Sequence, residues 1–86
     1  MYRLVLSEQA SRFYKRCDRP LAKKLARCFT ALEHDPRSGN NVKVLKGPYG
    51  GSYRYRVGDF RVIYTINEQT VTVFVVTIAH RKDIYD

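Results

Sequence analysis

The segment Tyr53-Arg54-Tyr55-Arg56-Val57-Gly58-Asp59-Phe60-Arg61-Val62-Ile63-Tyr64 constrains the fold more than any other part of the chain. It alternates on both sides of a Gly-Asp pair, and successive side chains of a strand point to opposite faces. A two-residue turn at Gly58-Asp59 sets Val57 against Phe60 and therefore Arg56 against Arg61. Tyr53, Tyr55, Val57, Phe60, Val62, Tyr64 and Ile66 then share one face, which must pack on a core. Arg54, Arg56, Arg61, Ile63 and Thr65 share the other. Like charges directly opposite each other destabilise a sheet. Arginine also offers a planar, permanently charged fork suited to phosphate. The arginine face therefore predicts an anionic ligand, with a solvated sheet face as the plain alternative.

The rest of the chain supplies the partner layer. Tyr2–Leu6 reads as a short first strand. Ser7 is a candidate N-cap for a helix over 8–17, with Ala10, Phe13, Tyr14 and Cys17 at helical spacing. Asp18-Arg19-Pro20 interrupts and restarts the helix, since proline suits a first helical turn. A second helix over 20–34 places Leu21, Leu25, Cys28, Phe29 and Leu32 on one stripe, with Lys23, Lys24 and Arg27 mostly off it. Asp35-Pro36 ends it. From residue 42 the period becomes alternating. Val42–Leu45 is a strand, Lys46–Gly51 a turn-rich link, and Thr70–Ile78 an apolar run suited to a strand with neighbours on both sides. Strand, two helices, then an antiparallel meander predicts an α+β fold: an antiparallel-rich sheet of four to five strands with two N-terminal helices on one face. Residues 1–86 form one domain on this reading.

Composition narrows the partners. Sixteen basic residues against eight acidic give a net charge of +8, which favours an anionic partner. Nine of the basic residues precede position 42 and seven follow it, so the charge belongs to a folded surface and not to a tail. Two cysteines, Cys17 and Cys28, suggest reduced thiols and neither a disulfide framework nor zinc. Met1 runs straight into strand-like sequence, and no apolar run approaches ~20 residues. A cytoplasmic protein without a membrane segment is expected.

The chemical inventory is short. Gly-rich phosphate loops, paired carboxylates and Ser-His-Asp or Cys-His sets are absent from the sequence, and no cofactor or metal is called for. His80 and Arg81 leave the last strand beside the possible anion site. His80 is either a surface residue or a proton carrier. Tyr85 is either a terminal anchor or an aromatic that stacks on a base or acts as a phenol. Cations, an imidazole and phenols suit RNA cleavage by its own 2′-hydroxyl, which needs a base, charge stabilisation at phosphorus and a proton for the departing 5′-oxygen.

The hairpin, together with Val44-Leu45-Lys46-Gly47 before it and His80-Arg81-Lys82-Asp83-Ile84-Tyr85 after it, resembles the RelE/ParE superfamily of toxins from toxin–antitoxin pairs. The likeness spans essentially the whole chain and is closest to the RelE branch of ribosome-dependent mRNA endonucleases. It implies cleavage in the ribosomal A site that leaves a 2′,3′-cyclic phosphate. It implies that Arg54 and Arg56 flank the scissile phosphate, that Arg61 binds it, that Arg81 assists the leaving group, and that Tyr85 stacks on or orients the substrate. His80 matches a histidine that some members use. Lys43 and Lys46 join Arg54 and Arg56 as substrate-binding candidates. Some relatives carry lysines where this chain has Arg54 and Arg56. Arginine cannot serve as a base, so either His80 or Tyr85 takes that role, or base catalysis is weak and the ribosome supplies positioning. A cognate antitoxin, the ribosome and mRNA are the implied partners, with a higher-order toxin–antitoxin complex that binds operator DNA through the antitoxin. The alternative within the superfamily is a non-enzymatic ParE-like inhibitor of DNA gyrase.

Overall fold

A computed structural model of the chain describes residues 1–84, and the backbone follows the expected order. Strand β1 (Arg3–Leu6) leads into helices α1 (Glu8–Arg16) and α2 (Arg19–His34), then β2 (Val42–Val44), β3 (Tyr53–Val57), β4 (Phe60–Asn67) and β5 (Thr72–His80). Short 3-10 turns follow β2 (Gly47–Tyr49) and β5 (Arg81–Asp83). The helix starts have local causes. Ser7 Oγ accepts from the Ala10 N–H at 3.1 Å, and Asp18 Oδ1 accepts from the Leu21 N–H at 2.9 Å, with Pro20 inside the first turn of α2. Each cap satisfies one of the N–H groups that a helix start leaves unpaired.

The five strands form one sheet in the order β1-β5-β4-β3-β2. All neighbours are antiparallel except β1, which runs parallel to β5. Both helices cover one face, where Leu25, Cys28 and Leu32 of α2 and Ala10 of α1 meet Val57, Val62, Tyr64, Val73, Val75 and Ile78 of the sheet. Tyr64 is fully buried, and its hydroxyl donates to the Pro36 carbonyl at 2.7 Å. That bond fixes the loop between α2 and β2 to the centre of the sheet. At the outer end of the same loop, Arg37 binds the Glu68 carboxylate and donates to the Tyr53 hydroxyl at 2.8 Å, while the Tyr2 hydroxyl donates to Glu68 at 2.7 Å.

Two strand details depart from the sequence reading. The last strand begins at Thr72 and runs to His80, two residues later at each end than expected. Val71 is apolar and β-branched, yet it sits at φ +50° in the β4–β5 turn, where the Asn67 side chain accepts from the Thr70 N–H at 3.1 Å. The side-chain bond sets the turn, so the apolar letter misleads. The second departure is a register shift. Tyr64 pairs with Val75 but Ile63 pairs with Thr77, leaving Val76 as an extra residue in β5. The bulge is held from α1: Gln9 Nε2 donates to the Ile78 carbonyl at 2.9 Å, and Gln9 Oε1 accepts from the Ile78 N–H and the Thr77 hydroxyl, each at 3.0 Å. Ser7 Oγ donates to the Val76 carbonyl at 2.7 Å. Among the described residues no helix is long and apolar enough to cross a membrane.

Candidate functional site

The hairpin register is the one its turn chemistry dictates. Gly58 takes a φ of +58°, available to glycine without a Cβ penalty, and Arg56 lies directly opposite Arg61. One step further from the turn, Lys43 on β2 lies opposite Arg54 on β3. The open face of the sheet therefore carries two successive cationic pairs. The three arginines are held differently. Arg56 is exposed and makes no side-chain hydrogen bond or ion pair among the described residues. Arg61 is half-buried, and its Nη1 donates to the Gly58 and Phe60 carbonyls at 3.0 Å each. Arg54 is half-buried too. Its Nη1 donates at 3.0 Å to the Asn41 carbonyl, the same oxygen that accepts the Arg56 N–H at 2.9 Å. Its buried Nε has no partner among the described residues.

Arg81 reaches the same end of the sheet from the other side of β4. Its N–H donates to the Asp59 carbonyl at 2.8 Å, and its Nε lies 3.8 Å from the Asp59 carboxylate. Arg56, Arg61 and Arg81 thus line one open cleft of about 630 Å³ at the hairpin turn. Lys24 and Arg27 of α2 and Asn41 line it as well, and Cys28, Tyr55 and Val57 make its uncharged wall. The α2 cations were read in the sequence only as off-stripe charge. Their three-residue spacing, which places them on one helix face, was the available signal. Burial pushes the Cys28 thiol up to about 12, so it stays protonated and is no nucleophile.

Not every expected residue joins this group. His80 was expected beside the arginines, but it pairs with Phe60, and their rings meet edge to face at 5.3 Å. Phe60 in turn meets Phe13 of α1 at 5.6 Å. His80 therefore lies on the helix-covered side, and its Nδ1 accepts from the Lys82 N–H at 3.2 Å. The bulge is the cause. One extra residue at Val76 shifts the alternation, so that Ile78 and His80, not Thr77 and Ala79, point to the helices. Lys46 also stands apart: with Lys43 and Leu45 it lines a separate hollow of about 250 Å³ beyond β2. Tyr85 lies outside the described residues.

Comparison with known proteins bears on the family and the fold. Residues 4–85 match the family described as the ParE toxin of type II toxin–antitoxin systems. No curated protein matches the chain. Among solved structures, the archaeal RelE–RelB complex of Pyrococcus horikoshii OT3 superposes with a TM-score of 0.81 at 24% identity, covering 96% of this chain and 98% of that one. The RelBE2 toxin–antitoxin complex of Mycobacterium tuberculosis gives 0.76 at 26% identity, covering 93% and 98%. The intact RelBE toxin–antitoxin complex of E. coli gives 0.77 at 21% identity, covering 93% and 96%.

Proposed function

Because the chain belongs to the ParE toxin family of type II toxin–antitoxin systems, within the RelE/ParE superfamily, we propose that it arrests growth by cutting mRNA on the ribosome. The observation that carries this reading is the convergence of Arg56, Arg61 and Arg81 on one cleft, with Arg54 on the same sheet face. In the reaction the 2′-oxygen attacks phosphorus, the bond to the 5′-oxygen breaks, and a 2′,3′-cyclic phosphate and a 5′-hydroxyl result. Charge builds on the non-bridging oxygens as the bond forms. Guanidinium groups already fixed by protein carbonyls, as Arg61 is, stabilise that charge without reorganising. Arg81, which lines the same cleft beside Asp59, assists the leaving group in this reading. Since His80 faces Phe60, the base role passes to Tyr85, with the ribosome positioning the 2′-hydroxyl. Positioning alone can supply up to ~7–11 kcal/mol of a barrier.

The relatives described as the RelBE2 and the E. coli RelBE toxin–antitoxin complexes contain an antitoxin. We extend that to this chain: a cognate antitoxin holds the toxin inactive, and the complex binds operator DNA through it as a larger oligomer. A non-enzymatic toxin that binds a gyrase subunit is the second reading. One observation favours it: among the described residues, the strands of the arginine face present no side chain that gives up a proton near neutral pH. Brief induction followed by mapping of mRNA 5′ ends separates the two. New ends confined to translated regions support the nuclease. Intact mRNA with arrested DNA replication supports the gyrase inhibitor.

A further inference from the structure

The cleft does not stop at the arginine face. Strand β2 pairs with β3 only as far as Tyr55, and the last bond along that edge is the Arg56 N–H to the Asn41 carbonyl. Beyond it the edge of β3 is uncovered. The cleft passes around this edge, from Arg56 and Arg61 on the open face to Lys24 and Arg27 on α2. Five cations line it against the single carboxylate of Asp59, which already lies beside Arg81.

The α2 cations make no ion pair among the described residues. Helix α1 pairs its Glu8 with Arg12 at 3.4 Å, but the one acid within α2 is Glu33, far from Lys24 and Arg27 along the helix. Asp18 caps α2 and shares a neighbouring hollow with Lys24, but makes no ion pair to it. Lys24 and Arg27 are exposed, one turn apart, and make no ion pair or hydrogen bond among the described residues. The uncharged wall behind them, Cys28, Tyr55 and Val57, excludes solvent from one side and strengthens their attraction for an anion.

We propose that Lys24 and Arg27 form, with Arg56, a second phosphate track that carries the RNA strand from the arginine face around the open edge of β3 onto α2. The inference rests on reading the arginine face as an RNA site. Continuity favours RNA over an acidic peptide: a strand with one phosphate at Arg61 has further phosphates on both sides, and the cleft leads from Arg61 toward α2. Lys24 and Arg27 position the substrate and take no part in bond breaking, whereas Arg56 belongs to both the track and the arginine face.

The test compares Lys24→Ala/Arg27→Ala with Arg19→Ala/Lys23→Ala, which removes equal charge from α2 outside the cleft. The probe is a short 5′-labelled oligouridylate, titrated by fluorescence anisotropy over a range of salt. Each phosphate contact on single-stranded nucleic acid contributes about 0.7 to the slope of log affinity against log salt. The cleft variant should lose about 1.4 of slope relative to wild type, and the control variant none. On mRNA-programmed ribosomes the cleft variant should raise KM and leave kcat unchanged. Equal slopes for the two variants, or a fall in kcat without a change in KM, overturn the inference. If the cleft variant keeps RNA binding but escapes an acidic antitoxin segment, the track belongs to a protein and the inference falls. Failure of the underlying reading looks different: the wild type then cuts no ribosome-bound mRNA, and Arg56→Ala changes nothing in either assay.

Discussion

Tyr64→Phe removes one atom from the centre of the sheet and tests how the loop before β2 is held. The hydroxyl is buried and donates to the Pro36 carbonyl at 2.7 Å, and Pro36 is itself fully buried. The ring stacks on Tyr53 at 5.6 Å with an interplanar angle of 16°, and phenylalanine keeps that contact. What is lost is the donor, so a buried carbonyl is left unpaired at a cost of about 1–3 kcal/mol. At ~2.1 cal/mol/K per residue, 86 residues give an unfolding entropy of about 0.18 kcal/mol/K, so Tm should fall by roughly 6–17 °C. Calorimetry or a circular-dichroism melt reads this directly. Tyr55→Phe is the control, because the Tyr55 hydroxyl has no hydrogen bond among the described residues, and it should stay within about 0.5 kcal/mol of wild type. The loop also carries Asn41, whose carbonyl holds the Arg56 N–H and the Arg54 guanidinium. Amide exchange at Arg56 should therefore accelerate in Tyr64→Phe and not in Tyr55→Phe. A Tm within about 2 °C of wild type, or equal losses in the two variants, would refute the account.

Three further outcomes follow from single features. Arg56→Ala should leave stability within about 0.5 kcal/mol, because the side chain is exposed and unengaged among the described residues, yet lower mRNA cleavage at least tenfold; unchanged cleavage in a primer-extension assay would remove Arg56 from the site. Val71→Gly should stabilise the fold by about 1 kcal/mol in a urea melt, since a β-branched residue at φ +50° carries a steric penalty that glycine lacks. The Glu68 carboxyl is held below its ordinary value by the Tyr2 hydroxyl first and Arg37 next. Its contribution to stability is therefore present above the unfolded carboxylate pKa and lost as pH falls through the depressed folded value. Glu68→Gln should flatten the acid side of the stability–pH curve, and an unchanged acid limb would show that the network adds nothing.

The hairpin was legible because everything that sets its register is local. Gly58 and Asp59 fix the turn, the turn fixes Arg56 against Arg61, and alternation assigns the faces. The helix caps at Ser7 and Asp18 were legible for the same reason, since each bonds a backbone N–H three residues away. The phase of β5 is another matter. Val73 through Ile78 is apolar or β-branched at every position, so neither face announces itself, and the bulge at Val76 is fixed by Gln9, 69 positions before Ile78 in the chain. Nothing near Val76 in sequence records that contact. The whole difference between His80 beside the arginines and His80 beside Phe60 follows from it. Arg81 escapes the ambiguity because its N–H is tied to the Asp59 carbonyl within the turn that positions the other arginines. The two neighbours should therefore separate in function. His80→Gln should change mRNA cleavage less than Arg81→Ala does, measured on the same programmed ribosomes. Equal losses would mean that the imidazole reaches the scissile phosphate, and the phase assigned to the end of β5 would have to be given up.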